Sequence, residues 1–437
     1  MIDDFRESDR LRQRSHTLIP GGAHTYAKGD DQYPLHSPGF IVRGKGCHVW
    51  DADGNEYIEY GMGLRSVGLG HAYRPVIAAA ARQMMKGQNF TRPATIEIEA
   101  AEALLECIPG AEMVKFAKNG SDVTTAAVRL ARAITGRDMV AICGDHPFYS
   151  VDDWFIGATA MSSGIPAEHK RLTVKFAYNQ LDTLRQLFQL YPGQIACVMM
   201  EAATQVEPQQ DYLQQVIDLT HAHGAIFILD ENITGFRYHL GGAQAKFGIV
   251  PDLSTFGKAM ANGFALAALA GKREFMLRGG IEHEHERVFL LSTTHGAETS
   301  ALAACIATIH AYRKEQVIDH LYAQGEKLRA GIAKAAESEG ISEHFGTLGY
   351  PCNLIYYTRD PAKQPSQAFR TLFLQETIKR GLLMPSLVDS FAHKDDDITR
   401  TLDAIAEALR IYRKALDEGI EKYLIGRPVK PVFRPFN

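Results

Sequence analysis

The sequence predicts an α/β protein: a large domain of mostly parallel strands between helices, and a smaller α+β domain built from both chain ends. Two observations carry this. The middle of the 437-residue chain alternates short apolar runs with segments of helical spacing, and its two ends lack that alternation.

In chain order, residues 37–60 hold short strand-like pieces around the turn signal Asp51-Ala52-Asp53-Gly54-Asn55. Met113–Ala117, Met139–Cys143, Ile195–Glu201, Ala225–Asp230 and Leu253–Phe256 are compact apolar runs that read as buried strands. Between them, 121–135, 180–190 and 209–223 repeat apolar residues at helical spacing. After about residue 310 the pattern is mostly helical, with 315–338, 367–380 and 397–415 as the segments expected. We place the large domain at 65–310 and the small one at 1–64 with 311–437. Ligands of such sheets sit beyond the carboxyl ends of the strands, so the residues just after each run are the ones to inspect.

Composition narrows the function classes. Hydrophobic residues at 46% and charged residues at 22% describe an ordinary soluble domain. With 51 acidic and 47 basic residues the net charge is −4, which argues against a nucleic-acid or membrane-surface partner. Cys47, Cys107, Cys143, Cys197, Cys305 and Cys352 are scattered without a CxxC pair, as expected of reduced thiols. The opening MIDDFRESDRLRQRSH has no apolar core, and the longest apolar stretch, 259–270, is too short to span a bilayer. A cytoplasmic location is the expectation. The run Glu282-His283-Glu284-His285-Glu286 reads as a solvated charged loop, so no metal site is expected.

Four strand ends carry chemistry. Asn119-Gly120-Ser121 joins a strand to a helix, a turn whose free N–H groups suit a phosphate, although Ser121 also reads as a simple N-cap. The run ending Asp230-Glu231 places two carboxylates at the end of a buried strand. A P-loop ATPase uses such a strand to hold metal, but no GxxxxGK[ST] segment is present. The remaining job for Asp230, besides capping or a structural ion pair, is to hold a positive charge such as a protonated pyridine nitrogen. Lys258 sits between Gly257 and small apolar residues, where desolvation would free its amine as a nucleophile; the plain alternative is a surface lysine. The turn Ser292-Thr293-Thr294-His295-Gly296 offers a second set of phosphate contacts or a helix cap. Phosphate-type turns, a strand-end aspartate and a strand-end lysine are together the parts of a pyridoxal 5′-phosphate (PLP) site.

The run DENITGFRYHLGGAQAKFGIVPDLSTFGKAMANG resembles the signature of the class III, fold-type I aminotransferases, and among them the glutamate-1-semialdehyde 2,1-aminomutases. IPGGAHTYAKG, VWDADGNEYIEYGMG, LGHAYRPV, RLARAITGRD and PSLVDSFAHKDDDI also have counterparts, so the resemblance covers nearly the whole chain. It implies a seven-stranded sheet, PLP as cofactor and a homodimer with shared active sites. Lys258 is implied to hold the cofactor as a Schiff base and Asp230 to pair with its ring nitrogen. Asn119, Gly120 and Ser121 would bind the phosphate, and Thr294 would reach the phosphate of the neighbouring subunit. Phe148, in Pro147-Phe148-Tyr149-Ser150, falls where the family stacks an aromatic ring on the cofactor; the alternative is a core phenylalanine. Tyr149, Glu201 and Asn232 complete the expected cofactor contacts.

Three departures bear on the reaction. Lys28 stands where the aminomutase has a carboxylate-gripping arginine, and lysine lacks the bidentate fork. Thr294-His295-Gly296-Ala297-Glu298 replaces a glycine- and asparagine-rich turn, and Asn232 stands where an apolar residue is usual. Arg65 is either a replacement guanidinium or a structural ion-pair partner, and Asp389 is a candidate for contacting substrate hydroxyls or an amine. The expected activity is transfer of an amino group from a small-molecule donor such as glutamate to an aldehyde or ketone, for example a sugar-like carbonyl. The alternatives are the aminomutase reaction and a PLP-binding protein without turnover.

Overall fold

A computed structural model describes residues 1–436. The chain forms two compact units, Met1–Tyr73 with Asp319–Val432, and Arg74–Ile318 with the tail from Phe433.

In the first unit, β1 (Ile41–Lys45), β2 (His48–Asp51) and β3 (Glu56–Glu59) form an antiparallel meander. Asp51 closes its turn by accepting the N–H groups of Asp53 and Asn55 at 3.1 and 2.8 Å, the short-range bonding that favours aspartate in turns.

The second unit holds a seven-stranded sheet. In chain order its strands are β4 (Met113–Ala117), β5 (Met139–Cys143), β6 (Thr173–Phe176), β7 (Ile195–Met200), β8 (Ile226–Asp230), β9 (Leu253–Phe256) and β10 (Ala267–Gly271). The spatial order is β4-β10-β9-β8-β7-β5-β6. Strands β5 to β9 pair in parallel, and β10 runs antiparallel to both β4 and β9. Every residue of β5, β7, β8, β9 and β10 is buried, so both faces of the sheet are covered, as continuous apolar strands require. On one face Val140, Ile142, Cys197, Met199 and Ile228 pack with Val123, Ala127 and Leu130 of the helix Gly120–Thr135.

Helices Leu181–Leu190 and Tyr212–Ala222 lie where helical spacing predicts them, within three residues at each end. Strands β6 and β10 have no counterpart in the sequence reading. The apolar stretch 259–270 turns out to be a tight turn at Lys258–Ala261 followed by β10.

The chain returns to the first unit with helices Val317–Ser338, Gln367–Lys379 and Asp395–Glu418. Three short strands interrupt this largely helical region: β11 (Phe345–Leu348) pairs with β12 (Ile355–Thr358), and β13 (Leu382–Leu383) adds in parallel to β3. That last pairing puts both chain ends in one sheet. Among the described residues no helix is long and apolar enough to cross a membrane.

Candidate active site

The carboxyl ends of β4, β5, β7, β8 and β9 bring most of the expected residues into one part of the second unit. Asp230, the last residue of β8, is 3% exposed. Its Oδ1 accepts three hydrogen bonds: from the Asn232 backbone N–H at 2.9 Å, the Asn232 side-chain amide at 2.7 Å and the Thr255 hydroxyl at 3.0 Å. All three donors converge on one oxygen, and Oδ2 stands outside the clamp. Burial pushes the Asp230 carboxyl above the usual range, while the Lys258 charge and the hydrogen bonds from Asn232 and Thr255 pull the other way. A second cation at Oδ2 would favour the ionised form.

Asn232 is the hinge of the arrangement. Its Oδ1 would lie 2.7 Å from a Cβ on Gly120 and closer still to one on Gly257. The phosphate-type turn after β4, the aspartate after β8 and the residue before Lys258 thus close on one amide. This accounts for the polar residue at 232: it is a donor to Asp230 seated between two glycines. Lys258 itself is partly buried and has φ +41°, a left-handed backbone that a lysine adopts at a cost when its surroundings hold it there.

The turn after β4 is tied to the loop after β5. Ser121 Oγ accepts the Val151 N–H at 3.0 Å, and the Thr124 hydroxyl donates to the Tyr149 carbonyl at 2.8 Å. Asp122 caps the helix start by accepting the Asn119 N–H at 2.9 Å. Because Gly120 opens a 16-residue helix, its end offers backbone donors and a favourable dipole to an anion.

Phe148 is 42% exposed and packs edge-on to Phe155 at 5.5 Å, so it is not a core phenylalanine. Tyr149 is buried and points back toward the end of β5, its hydroxyl 3.3 Å from the Cys143 carbonyl. Glu201, after β7, is buried, and its backbone N–H donates to Nδ1 of His146 at 3.0 Å. His146, which sequence reasoning missed, also meets the Tyr149 hydroxyl at 3.1 Å and lies 5.1 Å from the Tyr178 ring. Burial pushes its pKa down to about 4, so it is a neutral imidazole in the physiological range. The one signal that could have found it is its place in the run Gly144-Asp145-His146-Pro147, directly after Cys143 closes β5.

Glu231, adjacent to Asp230, is fully buried and has a different task. It accepts the N–H groups of Ala243 and Gln244 at 2.8 Å each and the Thr234 hydroxyl, fastening the loop that follows β8. Burial pushes its pKa up to about 7.

Thr294 is exposed, in a segment tied to the turn after β4 through the Lys118–Glu298 ion pair. The three expected substrate residues belong to the first unit. Lys28 is exposed at the end of a short turn, Asp389 is fully buried, and Arg65 donates to Asn353 Oδ1 at 2.9 Å. His283 and His285 lie with their rings 6.1 Å apart. Among the described residues, the metal-capable side chains that do cluster are Cys47, His48 and Asp397. There His48 Nε2 meets Asp397 Oδ1 at 3.0 Å, and Asp397 also caps the helix it begins.

Comparison with known proteins identifies the family of the chain. The model of the class-III aminotransferase family matches residues 27–409. The 3-aminobutyryl-CoA aminotransferase of Cloacimonas acidaminovorans is 32% identical over 93% of this chain and 97% of its own length. The glutamate-1-semialdehyde 2,1-aminomutase of Archaeoglobus fulgidus is 30% identical over 92% of this chain and 99% of its own. Among solved structures, the FumI protein of Sphingopyxis sp. MTA144, in its PLP internal aldimine form, is 27% identical with a TM-score of 0.86, covering 94% of this chain and 97% of that one.

Proposed function

The chain belongs to the class III aminotransferases, PLP-dependent enzymes of fold type I, and on that premise we propose that it moves an amino group from an external donor, glutamate first, to an aldehyde or ketone acceptor. The observation that carries the reading is the Asp230 clamp: a buried carboxylate with one oxygen saturated by donors and the other outside them, within the electrostatic reach of Lys258.

The donor set fits the cofactor. Asp230 Oδ2 would hold the protonated ring nitrogen, Lys258 would hold the carbonyl carbon, and Gly120 and Ser121 would receive the phosphate at a helix start. Phe148 would cover a ring face, with Asn119, Tyr149, Glu201 and Asn232 around it. When bound, PLP supplies an electron sink for charge that develops on the substrate carbon. The chain's own residues do the rest. Once a donor amine had taken its place, the Lys258 amine would take the proton from the amino-bearing carbon and deliver it to the cofactor carbon it had held, and the reverse pass would carry the proton back. Asp230 would keep a proton on the ring nitrogen, and that positive charge would in turn favour the ionised form of the buried carboxylate. Asn232, by donating to Oδ1, would leave Oδ2 to the ring.

Lys28, Arg65 and Asp389 are assigned to substrate recognition. The lysine at 28 in place of an arginine favours an acceptor other than glutamate semialdehyde, a sugar-like carbonyl among them. We further assign a cytoplasmic homodimer in which Thr294 reaches the neighbouring subunit's phosphate; its exposure in the single chain suits that role.

The test is an absorption spectrum of the PLP-loaded protein before and after L-glutamate. Loss of the visible cofactor band with release of an equal amount of 2-oxoglutarate is expected. The aminomutase reading, favoured by the 30% identity to that enzyme, predicts a band indifferent to glutamate and interconversion of glutamate semialdehyde without any external donor. A Lys258→Ala variant that still turns over would overturn both.

A further inference from the structure

The first unit contains a cavity of about 290 Å³ whose wall includes Gln32, Arg65, Tyr356, Arg370 and Ser386, close to the lower end of the sizes that hold small molecules. Arg370 is the fourth residue of the helix Gln367–Lys379, whose first turn has no acidic residue. A cation so near a helix amino terminus is opposed by the helix dipole. Its contacts solvate that charge without neutralising it. Nη2 donates to the Pro385 carbonyl at 2.7 Å, and the guanidinium carbon lies 5.0 Å from the centre of the Tyr356 ring. Among the described residues Arg370 has no carboxylate partner. Arg380, just past the other end of the same helix, shows the contrast: it pairs with Glu376 at 2.8 Å and with Glu407 at 3.0 Å. One acidic residue near this wall, Glu59, is taken by His71 at 2.5 Å and by the Gly63 N–H at 3.3 Å.

Arg65 adds a second guanidinium to the same wall, and its backbone is held at some cost. Leu64 and Arg65 have φ of +57° and +72°, next to Gly63 at +57°, and left-handed non-glycine residues persist where the surrounding structure imposes them. Tyr356, Ser386 and Gln32 also line the cavity, but their donors are engaged by the Met384, Tyr60 and Lys430 carbonyls at 3.0, 3.3 and 3.0 Å, so the charge of the wall rests with the arginines.

We infer that this cavity binds the carboxylate of a small acid, with Arg370 as the anchoring cation and Arg65 as the second positive wall. The site stands on the cavity itself; where the acid is the amino donor, the inference also rests on the transaminase reading above.

The test is calorimetric titration of the PLP-loaded protein with butanoate and with its neutral isostere butanamide. Butanoate binding that is weakened about tenfold or more in Arg370→Met is expected, with butanamide weak and unchanged. Arg370→Lys should recover part of the loss, since it keeps the charge without the fork. Thermal midpoints of the variants show that each is folded. No butanoate binding to the unaltered protein, equal binding to Arg370→Met, or equal binding of butanamide would each overturn the inference. The source of the acid is read from single-turnover spectra with 3-aminobutanoate and 2-aminobutane. If the acid is the donor, Arg370→Met raises the half-saturating 3-aminobutanoate about tenfold and leaves 2-aminobutane alone. If the acid is a separate ligand, both half-reactions keep their wild-type values while butanoate binding still falls.

Discussion

Asn232→Ala isolates the part of the site that sequence reasoning left unexplained. The substitution removes the 2.7 Å hydrogen bond from the side-chain amide to Asp230 Oδ1 and leaves the backbone donor at 2.9 Å and the Thr255 hydroxyl at 3.0 Å. A hydrogen bond to a charged group contributes roughly 1.5–3 kcal/mol, so cofactor affinity should fall about ten- to hundredfold. Equilibrium dialysis of PLP against the variant, followed by the visible band, measures this. Thr255→Val acts on the same oxygen, so the double variant should depart from the sum of the single effects. Asn232→Asp goes further by placing a second carboxylate where the amide donated. Two such groups cannot both ionise, and the defect should ease as falling pH protonates one of them. PLP affinity in Asn232→Ala within about twofold of the unaltered protein would refute the clamp, because the bond removed would then contribute less than the range above.

Other outcomes follow from the same geometry. Gly257→Ala drives a methyl into Asn232 Oδ1; overpacking of this kind costs about 1–3 kcal/mol, seen as a lower thermal midpoint together with weaker PLP retention. Glu231 has a folded-state pKa of about 7 against an ordinary 4.5, so the folded state keeps a proton that the unfolded chain releases. Stability should therefore decline as pH rises between those values, by up to about 1.4 kcal/mol per pH unit, and Glu231→Gln should lose that slope in denaturant titrations. His146 stays neutral down to about pH 4, so the pH profile of the half-reaction should show no step near 6.5 that His146→Gln removes. Phe148→Ala should weaken PLP binding while leaving the thermal midpoint of the cofactor-free protein nearly unchanged, because the ring is 42% exposed.

What could be read from sequence was whatever announces itself locally. The runs that became β4, β5 and β9 have the bounds expected of them because each is an apolar segment closed by a polar or glycine turn. β6, Thr173–Phe176, has β-branched and aromatic residues but is only four residues long, too short a run to stand out, and β10, rich in alanine, lacks the β-branched and aromatic pattern that marks a strand. β10 is defined by its pairing with β4 and β9 on either side, which no local pattern contains. The pair Asp230-Glu231 shows the same boundary at the scale of one site. Two adjacent carboxylates end one buried strand, and chain position alone treats them alike. Asp230 meets Thr255, 25 residues away, whereas Glu231 turns to the N–H groups of Ala243 and Gln244 and fastens a loop. Asn232 is the extreme case, since its amide acts on Asp230 while its oxygen lies against the positions of Gly120 and Gly257. Its residue type departs from the family pattern, and only the folded contacts supply the reason. With Asp230 so deeply buried, an apolar residue at 232 would leave Oδ1 with one donor fewer, and the carboxylate would be harder to keep ionised at the point where a positive charge has to be held.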